Sequence, residues 1–189
     1  MANQGPAYYS PYPTALYDGV ITPPEGQALL LENVVEEEVA MREVAKVMLT
    51  RDNATIFPGP KVLYAWDKEH SRQATLIKEM SEVLNARMIP MYDYRPKYPK
   101  INPEVEINPN HPNLTIWHND IKAAIFIGVH CHYANVALKI VRAETDCYTI
   151  AFCGVQGHED AMATLRDQHS KELERFIEIA KEVKAELGK

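Results

Sequence analysis

An apolar run that passes directly into an amphipathic helix constrains this chain more than any other feature. Residues 123–129 read AAIFIGV without a polar interruption, and the YANVALKIVRAE that follows from residue 133 repeats apolar residues at helical spacing. A second apolar run, CYTIAFC, occupies residues 147–153. Strands that do not alternate polar and apolar residues are buried on both faces, and a strand–helix–strand unit is a right-handed crossover in a parallel sheet. The pattern predicts an α/β fold with an open, mainly parallel sheet and helices on both faces.

Other segments extend this pattern. KVLYAW at residues 61–66 and RMIPMYD at residues 87–93 are predicted strands, separated by a helix in DKEHSRQATLIKEMSEVLNA. LTIWHN at residues 114–119 is predicted to be a further short strand. Five strands would then contribute to the sheet.

Two long helices are predicted outside these units. NVVEEEVAMREVAKVMLTR, from residue 33, has Asn33 as its cap and Glu36 as the second half of a capping box. The last helix runs from about Glu159 to Leu187, and its apolar stripe is longer than a small sheet needs. We expect the stripe to contact either the core alone or also a second copy of the chain, in a homodimer.

Two segments lack any helical or strand period. Residues 1–31 are rich in Pro, Gly and Tyr and are predicted to form an extended arm, followed by a single α/β domain over residues 32–189. Residues 93–113 contain five prolines and are predicted to be a Pro-rich insertion in that domain. Disordered tails are poor in aromatic residues, so four tyrosines in the arm indicate docking on the chain's own body or on a partner.

Composition excludes several classes of function. The formal net charge is -6 and the pI is about 5.6, so no basic stripe is available to neutralise nucleic-acid phosphates. The first residues, MANQGPAYYSPYPT, lack the basic and apolar regions of a signal peptide, and the longest apolar run is too short to span a membrane. We therefore expect a cytoplasmic protein that does not bind nucleic acid and does not span a membrane.

The three cysteines are predicted to be reduced. Cys131, Cys147 and Cys153 form no CxxC motif and cannot all pair. If Cys147 and Cys153 share a strand, they lie about 20 Å apart at about 3.3 Å per residue. Those two thiols would then be unable to hold one metal ion together.

Ligands of open parallel sheets bind beyond the carboxyl ends of the strands, so the residues that follow each predicted strand are the candidate site. Trp66 and Trp117 lie near these positions. For both, wedging against the edge of the core is favoured over stacking on a ligand. The polar and glycine residues concerned are Asp67, Glu69, His70, Tyr92, Asp93, His118, Asp120, His130, Cys131, His132, Gly154, Gln156, Gly157 and His158.

Three chemistries are open at the strand-to-helix junction His130–His132. A metal ion is one, because imidazole and thiolate are common ligands, although the local spacing is incomplete and needs His118, Cys153 or His158 to approach through the fold. A catalytic couple between Cys131 or Cys153 and one of these histidines is the second. Phosphate binding at the helix start near Tyr133, or at the CGVQGHED turn, is the third. No metal is favoured over the alternative that these side chains cap and fill the junction.

The segments GPKVLYAW and AAIFIGVHCHYANVALKIVRAETDCYTIAF resemble the carbon monoxide dehydrogenase beta subunit/acetyl-CoA synthase epsilon subunit family, from about Phe57 to Phe152. The resemblance lies in Gly128, Tyr133 and the surrounding pattern. It implies a Rossmann-like fold of the deoxyhypusine-synthase nucleotide-binding type and an accessory subunit of a large nickel and iron–sulfur dehydrogenase. It also implies FAD-linked electron transfer, although GxGxxG and P-loop motifs are absent. The candidate cofactor-binding residues are Gly128, His130, Tyr133, Gly154 and Gly157.

Three functional hypotheses follow. The first is an accessory subunit, non-catalytic or assisting electron transfer, of a larger anaerobic one-carbon redox complex, to which the arm, the insertion and the last helix would dock. The second is a stand-alone enzyme that uses His130, Cys131 and His132. The third is a nucleotide- or flavin-binding module with its site at the carboxyl edge of the sheet.

Overall fold

Five parallel strands flanked by helices form the centre of the fold. The computed structural model describes residues 23–92, 102, 104, 106–107, 110–153, 157–166 and 169–189. In these residues the strands are β1 (Gln27–Leu30), β2 (Asn33–Glu36), β3 (Thr55–Pro58), β4 (Arg87–Met88), β5 (Ala123–Ile127), β6 (Tyr148–Phe152) and β7 (Ala163–Leu165). The helices are α1 (Glu37–Thr50), α2 (Pro60–Leu63), α3 (Lys68–Leu84), α4 (Pro112–His118), α5 (Cys131–Glu144) and α6 (Ser170–Glu186).

The strands form one open sheet in the order β2-β1-β7-β6-β5-β3-β4. The strands from β7 to β4 in that order pair in parallel, whereas β1 pairs antiparallel with both β7 and β2. The predicted α/β fold with a mainly parallel sheet is confirmed. Counting only the parallel strands along the chain, their order is 2-1-3-4-5, and the direction of winding reverses between β3 and β5. This reversal is the switch point of the sheet.

Alternate residues of β5 pack into separate cores on the two faces of the sheet. Ile125 and Ile127 belong to the core with α1, α3 and α6, whereas Ala124 and Phe126 belong to the core with α4 and α5. All five residues of the strand are buried. The unbroken apolar run is thus explained by helices on both faces, and the predicted β5, α5 and β6 are confirmed.

The predicted helix start at Asn33 is wrong, because residues 33–36 form β2. Leu31 and Glu32 have φ values of 48° and 66° and join β1 to β2 as a two-residue hairpin, the conformation that a type I′ turn requires. The Asn33 amide donates to the Leu31 carbonyl instead of capping a helix. β1 also shows that residues 27–30, assigned to the extended arm, belong to the sheet.

Two predicted strands are helices. KVLYAW begins in α2, and the true strand is the preceding TIFP of β3. LTIWHN lies mostly in α4, where Thr115 and Ile116 are buried and Trp117 is 53% exposed. Ile116 belongs to the core with α5. Pro60 and Pro112 stand in the first turns of these helices, where the missing N–H costs nothing.

The last predicted helix begins too early. Residues 163–165 form β7, which pairs with β6 on one side and β1 on the other, and α6 begins only at Ser170. The apolar stripe of α6 is buried within this chain, with Phe176 in edge-to-face contact with Phe152 at 5.5 Å between ring centroids. The homodimer remains a prediction.

Several predictions fall outside the described residues. These include the four arm tyrosines and the first part of the Pro-rich insertion, residues 93–101. In the part of the chain that the structure covers, no helix combines the length and apolarity that crossing a bilayer requires.

Candidate functional site

The switch point lies where the chain leaves β3 and β5. The Gly59 amide donates to the Ile127 carbonyl at 2.8 Å, and the Lys61 amide donates to the Gly128 carbonyl at 3.3 Å. A Cβ on Gly59 would overlap the Gly128 carbonyl and lie 2.5 Å from the Cα of Val129. Glycine is therefore required at position 59 so that the two strand ends can touch.

Gly128, a predicted cofactor-binding residue, has its own local reason to be glycine. Its φ is +67°, and an added Cβ would lie 3.0 Å from a methyl group of Val62. Both glycines face protein atoms, so they shape the strand ends rather than open a cradle for a ligand.

Aromatic rings surround this switch point. Tyr64 and Trp66 stack with ring centroids 6.2 Å apart, and their side chains are 52% and 60% exposed. From Trp66 the ring contacts continue to His130 at 6.4 Å and from His130 to His132 at 5.9 Å. We call this group the edge aromatic cluster; its members are Tyr64, Trp66, His70, Tyr92, His130, His132 and Tyr133.

The prediction that the tryptophans wedge the core is wrong. Trp66 and Trp117 both leave more than half of the side chain exposed, at 60% and 53%. Large exposed apolar side chains in a cluster mark surfaces that contact something else. Trp66 belongs to such a cluster, whereas Trp117 makes no ring contact with another residue that the structure describes.

The two acidic residues after α2, Asp67 and Glu69, accept hydrogen bonds at the starts of helices α3 and α6. Asp67 caps α3 by accepting from the His70 amide at 2.8 Å, and this hydrogen bond lowers the pKa of Asp67. Glu69 accepts from the amide and the hydroxyl of Ser170, at 2.8 and 2.9 Å, and the backbone hydrogen bond lowers the pKa of Glu69. Both carboxyls stay ionised and hold structure, so neither suits a general acid near neutral pH.

Two thiols and one imidazole meet further along the same edge. Cys131 is the first residue of α5, Cys153 directly follows β6, and His158 precedes β7. The two Sγ atoms are 3.5 Å apart, and these two sulfurs and one His158 nitrogen all lie within 4.8 Å of one another. Cys153 and His158 are buried, and Cys131 is partly exposed. We call these three residues the thiol–imidazole cluster.

The electrostatics of this cluster oppose the predicted Cys–His nucleophile. The hydrogen bond with Cys153, and after it burial, raise the pKa of Cys131 far above its ordinary value. A nucleophilic cysteine needs a lowered pKa. The Cys131 thiol is therefore protonated near neutral pH in the absence of a bound cation, which disfavours it as a nucleophile.

The third cysteine lies apart from this cluster. Cys147 precedes β6, whereas Cys153 follows it, and burial raises the pKa of Cys147 to about 12. None of the three thiols forms a disulfide. The prediction that Cys147 and Cys153 occupy opposite ends of one strand is confirmed.

Other predicted site residues lie elsewhere. Because α4 precedes β5, its end and the following turn are at the amino edge of the sheet, so the placement of His118 and Asp120 at the carboxyl edge is wrong. His118 instead contacts Glu104 at 3.2 Å, and Asp120 pairs with Lys122 at 2.9 Å. Asp93, Gly154 and Gln156 lie outside the described residues, whereas Gly157 is buried beside His158.

Sequence reasoning missed two residues of these groups. Tyr64 lies inside the predicted strand KVLYAW, and because that strand was expected to be buried, the exposure of Tyr64 was not predicted. Asn135 holds His158, with its Oδ1 2.6 Å from Nδ1 of the ring. Asn135 follows Cys131 by four residues, which places both on one side of α5, and this spacing is the signal that could have found it.

Residues 19–183 match the sequence model of a family described as CO dehydrogenase beta subunit/acetyl-CoA synthase epsilon subunit. The chain belongs to this family. The resemblance over Phe57–Phe152 is thereby confirmed and extended at both ends. A search of curated proteins gave no match. In this CO dehydrogenase/acetyl-CoA synthase family member, the matched span covers every strand of the sheet.

Proposed function

We propose that this chain is an accessory subunit of a larger CO dehydrogenase/acetyl-CoA synthase-type complex and that it docks on the catalytic subunit through the edge aromatic cluster. The family description, which is one of subunits, supports the role. The single observation that supports the docking surface is the exposure of the stacked pair Tyr64 and Trp66. The partner is the large nickel and iron–sulfur subunit, which performs the redox chemistry.

Physical chemistry favours this surface as an interface. Tryptophan and tyrosine are the commonest anchors of protein interfaces, since each buries a large area at a small cost in rotamer entropy. Here two such rings are already ordered by contact with each other and with His70 and His130. A preorganised anchor loses little entropy on binding, so the interface needs only a matching apolar pocket on the partner.

We propose that this complex is cytoplasmic. Cys131, Cys147 and Cys153 form no disulfide, as is usual for proteins of reducing compartments. The net charge of -6 does not favour nucleic acid as a partner.

The test compares a double variant with a matched control. The untagged protein and the variant Tyr64→Ser/Trp66→Ser are purified anaerobically from the native cells and analysed by native mass spectrometry. We expect the wild type in a complex with a large partner, and the double variant about 30-fold weaker in binding it, because losing a tryptophan anchor costs about 2 kcal/mol or more.

Trp117→Ser is the control, since Trp117 is similarly exposed at 53% but lies outside the cluster. It should bind the partner as the wild type does. A double variant that retains the partner would contradict the docking surface, and a wild type found only as a monomer or homodimer would contradict the subunit role.

A nucleotide- or flavin-binding module is the second candidate, favoured by the switch point between β3 and β5. The described residues fit FAD in part. The α5 start has no side-chain cap and could face a phosphate, and the Trp66 ring could stack on a heterocycle, but Gly59 and Gly128 are closed by protein atoms. When bound, FAD would supply one- or two-electron transfer.

Titration of the isolated protein with FAD, followed by flavin fluorescence, tests this candidate. Saturable binding that Trp66→Ser weakens and Trp117→Ser does not would support it. No saturation, or equal affinity in both variants, would exclude the switch point as a flavin site.

A further inference from the structure

We propose that Cys131, Cys153 and His158 form a binding site for a thiophilic divalent metal ion of the Zn²⁺ class. The site is separate from the docking role proposed above and does not depend on it. Its three side chains come from the start of α5, the end of β6 and the segment before β7. No local sequence motif brings them together, so the site is built by the sheet itself.

The spacing of the sulfurs fits a bound metal. Two thiolates on a tetrahedral Zn²⁺, each about 2.3 Å from the metal, lie about 3.8 Å apart. The observed separation between Sγ of Cys131 and Sγ of Cys153 is 3.5 Å. A disulfide would instead need the sulfurs at about 2.0 Å. The preformed distance is therefore closer to that of a shared metal than to that of a covalent bond.

The imidazole is already oriented for ligation. Nδ1 of His158 lies 2.6 Å from Oδ1 of Asn135. An amide oxygen can only accept, so this contact favours the tautomer that carries its proton on Nδ1 and leaves the lone pair of Nε2 for the metal. Metal-bound histidines are commonly held in this way through their second nitrogen. The backbone N–H of His158 also donates to the Thr164 hydroxyl at 3.2 Å, which fixes the residue beside β7.

Charge balance is favourable. Zn²⁺ displaces one proton from each thiol to the solvent, and the two thiolates together neutralise the charge of the bound ion. Cys131 stands at the positive end of α5, a helix of 14 residues, which favours the thiolate that forms when the metal displaces the proton. A neutral product suits a site in which Cys153 and His158 are buried, because no net charge is left in a poorly solvated place.

Three ligands from the described residues leave one position of a tetrahedral ion for water or a small exogenous ligand. Closed four-ligand sites are structural, whereas a site with an exchangeable position can bind and polarise a ligand. The partial exposure of Cys131 provides access from the solvent side. We therefore infer that a small ligand from solution can reach the bound metal.

The experiment uses the full chain, reduced, stripped of metal and kept anaerobic. Zn²⁺ is titrated against a chromophoric chelator, and Co²⁺ serves as the spectroscopic probe because thiolate-to-cobalt charge transfer scales with the number of cysteine ligands. We expect one equivalent of metal, with charge-transfer intensity for two thiolates. Cys131→Ser should retain about half of that intensity and bind metal at least 10-fold more weakly.

Three further variants separate ligation from folding. Cys147→Ala removes the cysteine outside the cluster and should leave stoichiometry, affinity and spectrum unchanged. Asn135→Ala should keep both thiolates in the spectrum while lowering affinity about 10- to 100-fold, as expected of a residue that only positions His158. His158→Ala should lower affinity at least as much.

Three results would overturn the proposal. They are the absence of charge-transfer absorption, an equal loss of metal in Cys147→Ala and Cys131→Ser, and a protein that yields a Cys131–Cys153 disulfide but binds no metal after reduction. Because the measurement uses the isolated chain, a negative result leaves the docking proposal unaffected.

Discussion

The helix layer of α1, α3 and α6 and the carboxyl edge of the sheet use their polar and aromatic side chains in opposite ways. In the helix layer, charged residues are matched across helices, as in Arg42 with Glu182 and Glu186, or Lys181 with Glu79 at 2.7 Å. Aromatic residues there, such as Phe176, are buried. At the edge, by contrast, Tyr64 and Trp66 stay exposed and three potential metal ligands face one another.

We therefore expect substitutions in the helix layer to affect stability and substitutions at the edge to affect binding. Partners within the chain complete the helix layer, so substitutions there should change folding and little else. For the edge we propose partners from outside the chain, a subunit for the rings and a cation for the thiols. Substitutions there should change binding while the free energy of unfolding stays nearly constant.

Phe176→Ala should produce the largest effect. The ring is fully buried between α6 and the sheet and contacts Phe152, so its removal leaves a cavity that costs about 3–5 kcal/mol. Chemical denaturation measures the loss. Metal affinity of the folded fraction should be unchanged, and a loss of metal binding without loss of stability would break the proposed separation.

Gly59→Ala tests the switch point itself. The new methyl group would overlap the Gly128 carbonyl, so the strand ends must move apart, at a cost of about 1–3 kcal/mol. Gly26→Ala is the matched control, because Gly26 has φ +78° but no atom within 4 Å of an added Cβ. It should cost about 1 kcal/mol from backbone strain alone. Equal costs from thermal or denaturant unfolding would show that the two strand ends are not tightly packed.

Glu69→Gln should alter the pH dependence of stability only slightly, because Glu69 is exposed and solvent screens its charge. Hydrogen bonds from Ser170 lower the pKa of Glu69 below its ordinary 4.5. A depressed pKa contributes stability that is present above 4.5 and is lost as the pH falls through the folded-state pKa. The wild type should therefore lose stability more steeply than the variant below pH 4.5. Parallel curves of unfolding free energy against pH would contradict the link between α3 and α6.

Trp66→Ser should have the smallest effect on stability, within about 0.5 kcal/mol, because its side chain is 60% exposed. The same substitution should reduce partner binding strongly. The free energy of unfolding and the amount of co-purified partner are measured on the same variant. A variant that unfolds easily would mean that the ring supports the fold and is not held for a partner.

Local pattern predicted much of the fold, but not the pieces that depend on distant pairing. β5, α5 and β6 follow from apolar runs and helical spacing within 30 residues. β2 was predicted as a helix because its sequence suits one, yet the hairpin with β1 and the pairing of β1 with β7 override that propensity. The last helix was predicted to include the short β7, because the pairing of β7 with β1 and β6 is not visible in the local sequence.

The sequence by itself determined the parallel α/β architecture, the reduced thiols and the family. Hydrophobic periodicity, cysteine spacing and sequence motifs can each be read from the order of residues along the chain. Only the tertiary structure decided that Cys131 would meet Cys153 and His158 rather than His130 and His132, and that Trp66 would be exposed at the switch point. In a helix that follows a strand, successive side chains point in different directions, so neighbours in sequence separate. Parallel strands end at one edge, and residues 22 positions apart in the chain come into contact there.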